Sequence, residues 1–383
     1  MSSGIAPATR DASPPERQVW IDLARGIGVI LVVFGHMLGG LIDAHLFPSG
    51  PVASWTSYAI YTFHMPLFFY LSALNVRSSL SRRGPRAFLV SKVWTIVYPY
   101  FLWSLLQGGS IMLIGRDANA PVTAGMLLTI WYRPIAQFWF LYALMICHVL
   151  AVVIADRRVL LVMAVLGLAV FEYQMGQPGL SLVLHDLPAY VLGLSPLRAA
   201  SVDRQGPLVT RMSIVWLALV WLGFAASVAL GGMAGMNPQD IASLPACVTG
   251  IAGIVMLCRC LAARAPRWLA TVGTMSMTIY VMHILAGAGT RIVLYRLHID
   301  FGPFGYLAAC TAAGVGLPML AHTVLQRWHL LAAFGLGSSR LTRQPQADQI
   351  KAGSHEPLPP WHAGCKDDNG MTDSPGAVRK VLR

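Results

Sequence analysis

Residues 23–38 read LARGIGVILVVFGHML, an apolar run with an arginine near its start and a histidine deep inside it. The run belongs to an apolar stretch at about residues 20–42, which is long enough to cross a bilayer, since a spanning helix needs about 20 residues. A charged side chain at the centre of such a helix costs about 2.5–3.5 kcal/mol on insertion scales. The positions of Arg25 and His36 therefore call for a functional or structural reason.

The composition is that of a protein with many membrane spans. Of the 383 residues, 56% are hydrophobic and only 11% are charged, whereas soluble domains carry about 25% charged residues. The net charge of +12 would suit a nucleic-acid partner, but the basic residues lie in short loops between apolar runs, where orientation in the membrane explains them. We predict an all-α, polytopic integral membrane protein that lies in the lipid bilayer and has no nucleic-acid partner.

Ten apolar segments are drawn as transmembrane helices, and the loops between them orient the chain. The approximate limits are residues 20–42, 53–74, 93–114, 135–155, 159–174, 182–198, 212–232, 241–261, 269–290 and 303–326. The second, fourth, sixth and eighth loops are rich in arginine, and the ninth loop, with Arg296, is the exception to the alternation. Because basic loops stay in the cytoplasm, both termini are predicted to be cytoplasmic.

The chain divides into three parts by composition. Residues 1–18 form a polar cytoplasmic segment, residues 19–334 form the transmembrane domain, and residues 335–383 form a tail rich in polar residues, Pro and Gly. The tail cannot bury enough apolar surface to fold alone, so it is predicted to be a disordered cytoplasmic tail. The first span is too long for a signal-peptide core and is expected to remain uncleaved.

Arg25 and His36 are predicted to share one face of the first helix. Eleven residues at 100° each amount to three turns plus about 20°, with a separation of about 16 Å along the axis. Asp22 precedes Arg25 by three residues and is placed to pair with it. Two simpler readings remain open. Arg25 could be a snorkelling anchor at the cytoplasmic surface, and His36 could bond a neighbouring helix.

Further histidines lie deep in the predicted spans. His64 precedes Pro66 by two residues, Tyr280 and His283 are three residues apart on one helix face, and His148 stands in an apolar stretch as a core residue. Deep histidines with polar neighbours indicate a solvated internal cavity in which protons are taken up and released. No HExxH motif or carboxylate cluster accompanies them, so no metal site is predicted.

Four segments together resemble the acyltransferase-3 family of bacterial membrane O-acyltransferases: IDLARGIGVILVVFGHM, FHMPLFFYLSAL, FWFLYAL and SMTIYVMHIL. The family motifs are an arginine and a histidine separated by ten residues, F-H-x-P-x-F-F, W-F-L and Y-x-x-H. The residues that match them are Arg25, His36, His64, Trp139, Tyr280 and His283. One departure is that Lys92 and Thr95 stand where the family often has R-x-x-R.

The resemblance implies transfer of an acyl group, commonly acetyl, from cytoplasmic acyl-CoA to a sugar hydroxyl of a glycan or glycolipid, in the bacterial inner membrane. No permanently bound cofactor is implied; acyl-CoA, with acetyl-CoA as the expected form, is a substrate. Arg25 would hold the donor, and His36 would act as general base or carry the acyl group. His64 would orient His36 or stabilise the oxyanion. Substrate-binding roles are expected for Asp22, Trp139, Tyr280 and His283.

Two other classes of function stay open at this point. A secondary transporter would use the buried histidines for proton coupling, and it predicts acidic residues buried within the spans; the sequence places Asp22, Asp43, Glu172, Asp186 and Asp240 near predicted span ends. A sensor or scaffold would keep its role without His36. Asp186, beside His185, is either a sugar ligand or a simple loop pair.

Overall fold

The computed structural model describes residues 19–115, 121–154, 156–173, 180–194 and 209–337. All regular secondary structure in these ranges is helical. The α-helices are α1 (Val19–Asp43), α2 (Pro51–Tyr61), α3 (His64–Ala73), α4 (Val76–Lys92), α5 (Tyr98–Ile114), α6 (Ala124–Leu128), α7 (Trp139–Val153), α8 (Arg157–Tyr173), α9 (Leu180–Gly193), α10 (Val209–Met233), α11 (Leu244–Leu261), α12 (Arg267–Thr274), α13 (Ser276–Arg296) and α14 (Gly302–Arg327). The predicted segment 1–18, and the predicted tail beyond Gly337, lie outside the described residues.

Seven helical segments among the described residues are long and apolar enough to cross a membrane. They are Val19–Asp43, Val76–Ile114, Ala136–Val153, Ile214–Met233, Ile241–Leu261, Ser276–Arg296 and Gly302–Arg327. The protein is therefore an all-helical, multi-pass membrane protein, but the predicted number of about ten spans is not confirmed. Helices α8 and α9, with 17 and 14 residues, are shorter than the ~20 residues of a typical span.

The second predicted span is two helices. Helix α2 ends at Tyr61 and α3 begins at His64, so the break precedes the histidine. Pro66 then lies in the first turn of α3, where its missing N–H removes no helical hydrogen bond. The break therefore places His64 at a helix start, with its side chain buried.

The basic second loop is also helical. Helix α4 carries Val76, Leu80 and Phe88 toward the core at helical spacing, while its arginines face outward. The helix bends at Gly84, which has a φ of +75°. A π-helical turn, Val93–Val97, joins α4 to α5.

The ninth predicted span is two helices, and the first of them, α12, crosses α1 at very short range. A Cβ atom on Gly273 would overlap the backbone carbonyl oxygen of Asp22, and a Cβ on Gly26 would overlap the carbonyl of Leu269. Only glycine permits this approach. Helix α12 ends one residue later, at Thr274, and α13 starts at Ser276.

This crossing gives a stability prediction. The Gly273→Ala substitution is expected to destabilise the folded protein by about 1–3 kcal/mol, because the added methyl group forces the backbones of α1 and α12 apart. Thermal unfolding of the detergent-solubilised protein measures the effect. The matched control is Gly316→Ala in α14, where a Cβ meets open space; equal melting temperatures for the two variants would contradict the tight crossing.

Helix α1 is the central element of the bundle. It packs against α2, α3, α11, α12, α13 and α14, and its buried residues include Leu23, Val29, Val33 and Leu38. The outer helices show the opposite pattern, since Trp216 and Leu222 on α10 and Leu320 on α14 are exposed, as expected of side chains that contact lipid. Residues of α1 therefore face several neighbours at once.

A short segment after α14 returns to α5. The Tyr98 hydroxyl donates a hydrogen bond to the carbonyl of Ala333 at 2.6 Å, and the Trp103 indole N–H donates to the carbonyl of Phe334 at 3.0 Å. The side chains of Phe334 and Leu336 pack against the core. The described fold thus continues to Gly337, slightly past the predicted start of the tail at residue 335.

Candidate active site

His36 lies in the middle of the bundle, where α1 faces the turn before α3 and the first half of α13. Its ring centroid is 5.1 Å from that of His283 and 6.2 Å from that of Tyr61. The preceding Gly35 permits the second approach, since a Cβ there would lie 3.1 Å from the Tyr61 ring. A Cβ on Gly39, one turn later, would meet no atom within 4 Å, and Gly39 lines a cavity.

His64 joins this cluster through Tyr61. The two rings are perpendicular, with centroids 4.8 Å apart. Nδ1 of His64 lies 2.8 Å from the carbonyl oxygen of Ile60, and because a carbonyl only accepts, Nδ1 carries the proton. In the uncharged ring Nε2 is then a hydrogen-bond acceptor.

His283 has the same tautomer for the same reason. Its Nδ1 donates to the carbonyl of Tyr280 at 2.7 Å, and its fully buried Nε2 has no hydrogen-bond partner among the described residues. Tyr280 on the same helix donates its hydroxyl proton to the carbonyl of Gln137. Helix α13 therefore presents an unprotonated ring nitrogen beside His36.

Two cavities meet at this cluster. The smaller, of about 80 Å³, is lined by four predicted site residues and by Tyr61. The four are His36, His64, Trp139 and Tyr280. The larger, of about 390 Å³, runs from His36 toward Asp43 at the end of α1 and Arg291 on α13. His36 lines both, so it stands where two bound groups would meet.

Arg25 and Asp22 are not part of this cluster. The guanidinium of Arg25 lies 3.7 Å from the Asp22 carboxylate, with the two side chains 35% and 26% exposed. Neither residue lines either cavity. The structure thus brings together His36, His64, Trp139, Tyr280 and His283 and leaves the ion pair about 16 Å away along α1.

His148 and Asp186 fall into different surroundings. His148 is a buried core residue whose Nδ1 lies 2.8 Å from the Tyr190 hydroxyl, and it lines neither cavity. Asp186 belongs to α9 rather than to a loop, is 2% exposed and lines the smaller cavity. His185 Nδ1 is 3.3 Å from its carboxylate. Among the described residues, no group of three His, Cys, Asp or Glu side chains is arranged to hold a metal ion.

Tyr61, Gln107 and Gln137 also line the cavities, and the sequence analysis did not single them out. Tyr61 stands three residues before His64, and Gln107 and Gln137 lie in apolar surroundings on α5 and just before α7. The two amides are paired by two hydrogen bonds, of 3.0 and 2.7 Å. A lone glutamine inside an apolar segment is a usable signal, because an amide in hydrocarbon needs a partner.

Comparison with known proteins gives a family match. The model of the acyltransferase-3 family, described as an acyltransferase domain, matches residues 18–323. Two relatives are named Nodulation protein NolL. The one from Mesorhizobium japonicum is 26% identical over 228 residues, 58% of each chain. The one from Sinorhizobium fredii is 28% identical over 152 residues, 39% of this chain and 40% of the relative. The chain therefore spans less than two thirds of these relatives, and no solved structure matches it.

Proposed function

Because the chain belongs to the acyltransferase-3 family, we propose that it is a membrane O-acyltransferase. In this proposal it transfers an acyl group, specifically an acetyl group, from acyl-CoA to a sugar hydroxyl. The acceptor is an exopolysaccharide, a lipopolysaccharide or a related glycan. The observation that carries the proposal is the position of His36, in contact with the His283 ring and between two cavities. That position lets one imidazole reach a donor and an acceptor together.

We assign His36 as the general base. It takes the proton of the acceptor hydroxyl while that oxygen attacks the thioester carbonyl carbon. The carbon–sulfur bond then breaks, and the CoA thiolate recovers the proton from the imidazolium. Among the described residues no hydrogen bond is made to the His36 ring, which leaves its nitrogens open to substrates. An acyl-histidine intermediate is the alternative route through the same residue.

The hydrogen bonding of His64 favours a role in orienting His36 over a role in stabilising the oxyanion. Its Nδ1–H is already donated to the Ile60 carbonyl, so the uncharged ring has no second N–H to offer a developing oxyanion. Its perpendicular contact with Tyr61, which in turn contacts His36, fixes the position of the base. Trp139 and Tyr280 would complete the wall that substrates contact, and His283, which lines neither cavity, would support His36 from behind.

We place Arg25 on the donor side, away from the histidines. An arginine presents a planar fork of donors that suits phosphate or carboxylate groups, and acyl-CoA carries phosphates. The exposed, basic α4 supports a cytoplasmic position for this end of the bundle. We accordingly propose an inner-membrane protein with both termini in the cytoplasm, and Asp22 as the partner that holds Arg25.

The test of the proposal is transfer itself. Membrane vesicles that contain the protein are mixed with radiolabelled acetyl-CoA and with glycan purified from cells that lack the gene, and label in the glycan is measured against vesicles without the protein. We expect labelled glycan only with the protein. Absence of label, together with histidine-dependent proton uptake by intact vesicles, would instead favour the transporter alternative, for which the buried Asp186 on α9 is the supporting acidic residue.

A further inference from the structure

We infer that the paired amides of Gln107 and Gln137 are specificity-determining residues that hydrogen-bond the hydroxyl groups of the acceptor sugar in the larger cavity. The inference rests on the proposed function, because it gives these residues a role in transfer to a glycan. It assigns acceptor binding to residues other than the histidines and Arg25.

The geometry of the pair is the first support. Nε2 of Gln107 lies 3.0 Å from Oε1 of Gln137, and Nε2 of Gln137 lies 2.7 Å from Oε1 of Gln107. The two side chains are 0% and 3% exposed. They come from different elements, 30 residues apart in sequence, so the fold brings them together.

The unused hydrogen-bonding capacity of the pair is the second support. A primary amide has two N–H donors and a carbonyl oxygen with two lone pairs, and each glutamine uses one donor and one acceptor position in the pair. Among the described residues neither amide makes a further side-chain hydrogen bond, so one donor and one acceptor position remain on each residue. A sugar hydroxyl donates and accepts, so adjacent hydroxyls match this pattern. A phosphate, which only accepts, would use half of it.

The position of the pair is the third support. Gln107 and Gln137 line the larger cavity together with His36, and much of the remaining wall is apolar, from residues such as Leu41, Ile111 and Ile284. Binding sites for small molecules commonly combine an apolar wall with a few placed polar groups. With a volume of about 390 Å³, this cavity is the roomier of the two for a sugar unit, whose reacting hydroxyl would point to His36.

Gln137 is also held in place from its backbone. Its carbonyl oxygen accepts the Tyr280 hydroxyl proton, and Ala136 before it has a φ of +44°, a conformation that residues with a Cβ rarely adopt. Gln137 lines the smaller cavity too. The amide is therefore fixed relative to Tyr280 and His283, which a specificity residue requires.

The alternative is a purely structural role, in which the amide pair only holds α5 against the start of α7. The test separates this structural role from sugar binding. The Gln107→Met, Gln137→Met double variant removes both amides and leaves neither one unpaired. In detergent solution, where both faces are accessible, we measure kcat and KM with radiolabelled acetyl-CoA and glycan purified from cells that lack the gene. We expect the acceptor KM to rise about tenfold, with the acetyl-CoA KM within about twofold of the wild-type value.

Two further variants serve as a substitute test and a control. Gln107→Glu keeps an acceptor for the Gln137 N–H but loses both N–H donors of residue 107, and it is expected to raise the acceptor KM. It replaces the double variant in the test if the double variant does not fold. Gln326→Met, at an exposed position on α14, is the matched control and should behave as wild type.

An acceptor KM within about twofold of wild type in the folded variants, with or without a lower melting temperature, would overturn the assignment. The amide pair would then have only the structural role. A wild-type protein that transfers no label to the glycan would overturn the proposed function itself, which distinguishes the two failures.

Discussion

Replacement of His36 by alanine is expected to reduce acyl transfer about 10²–10⁴-fold, the usual contribution of a positioned general base. The physical reason is that the acceptor hydroxyl then keeps its proton as it attacks the thioester. Among the described residues, His36 is the histidine that lines both cavities, whereas His64 lines only the smaller one and His283 lines neither, so neither neighbour is expected to substitute for it. His36→Gln, which retains hydrogen bonding but not basicity, should be impaired to a similar degree.

The assay needs equal amounts of inserted protein. His322→Ala on α14 is the matched control, since His322 bonds Thr278 at 2.7 Å and lines neither cavity. Transfer by His36→Ala at the wild-type rate would show that this histidine is structural. Rapid quenching with labelled acetyl-CoA but no acceptor adds a second readout. Label that stays on the wild-type protein and is absent from His36→Ala would indicate the acyl-histidine route in place of the general-base route.

Replacement of Arg25 by alanine is expected to raise the KM for acyl-CoA about 10- to 100-fold with a smaller effect on kcat. Hydrogen bonds to charged groups contribute about 1.5–3 kcal/mol, and each 1.4 kcal/mol is a factor of about ten. The KM of Arg25→Lys for acyl-CoA should fall between those of the wild type and Arg25→Ala, since lysine keeps the charge but not the planar fork. Initial rates at varied acetyl-CoA concentration and saturating glycan give both constants.

The control for this prediction is Arg264→Ala, an exposed arginine beyond the end of α11. It should leave the donor KM unchanged. If Arg25 is instead only a membrane anchor, its alanine variant will show an unchanged KM and a reduced amount of inserted protein, which quantitative blotting of the membranes detects.

The sequence was informative where a pattern is local to one helix. The apolar run at about residues 20–42 predicted the helix that carries Arg25 and His36, and the composition together with the long apolar runs predicted a helical membrane protein. The family motifs led to His64, Trp139, Tyr280 and His283; the first three line the smaller cavity, and His283 lies against the His36 ring. The catalytic and binding roles of these residues remain predictions.

Other features depend on contacts between distant segments and leave little trace in a local pattern. The close crossing of α12 and α1 depends on the backbone contact of Gly273 with Asp22, about 250 residues earlier in the chain. The Gln107–Gln137 pair likewise exists only once α5 and α7 are packed. The sequence analysis drew residues 53–74 as one span, and only the fold shows that this span is broken before His64.

The return of the chain from α14 to α5 has a consequence for biosynthesis. The hydrogen-bond acceptors of Tyr98 and Trp103 lie 235 and 231 residues further along the chain. At roughly 5–20 residues per second of translation, that separation corresponds to about 10–50 s. During this interval the indole N–H and the phenol must find temporary partners, such as water, lipid headgroups or a chaperone. The segment with Ala333 and Phe334 therefore has to be synthesised before one side of the bundle can close.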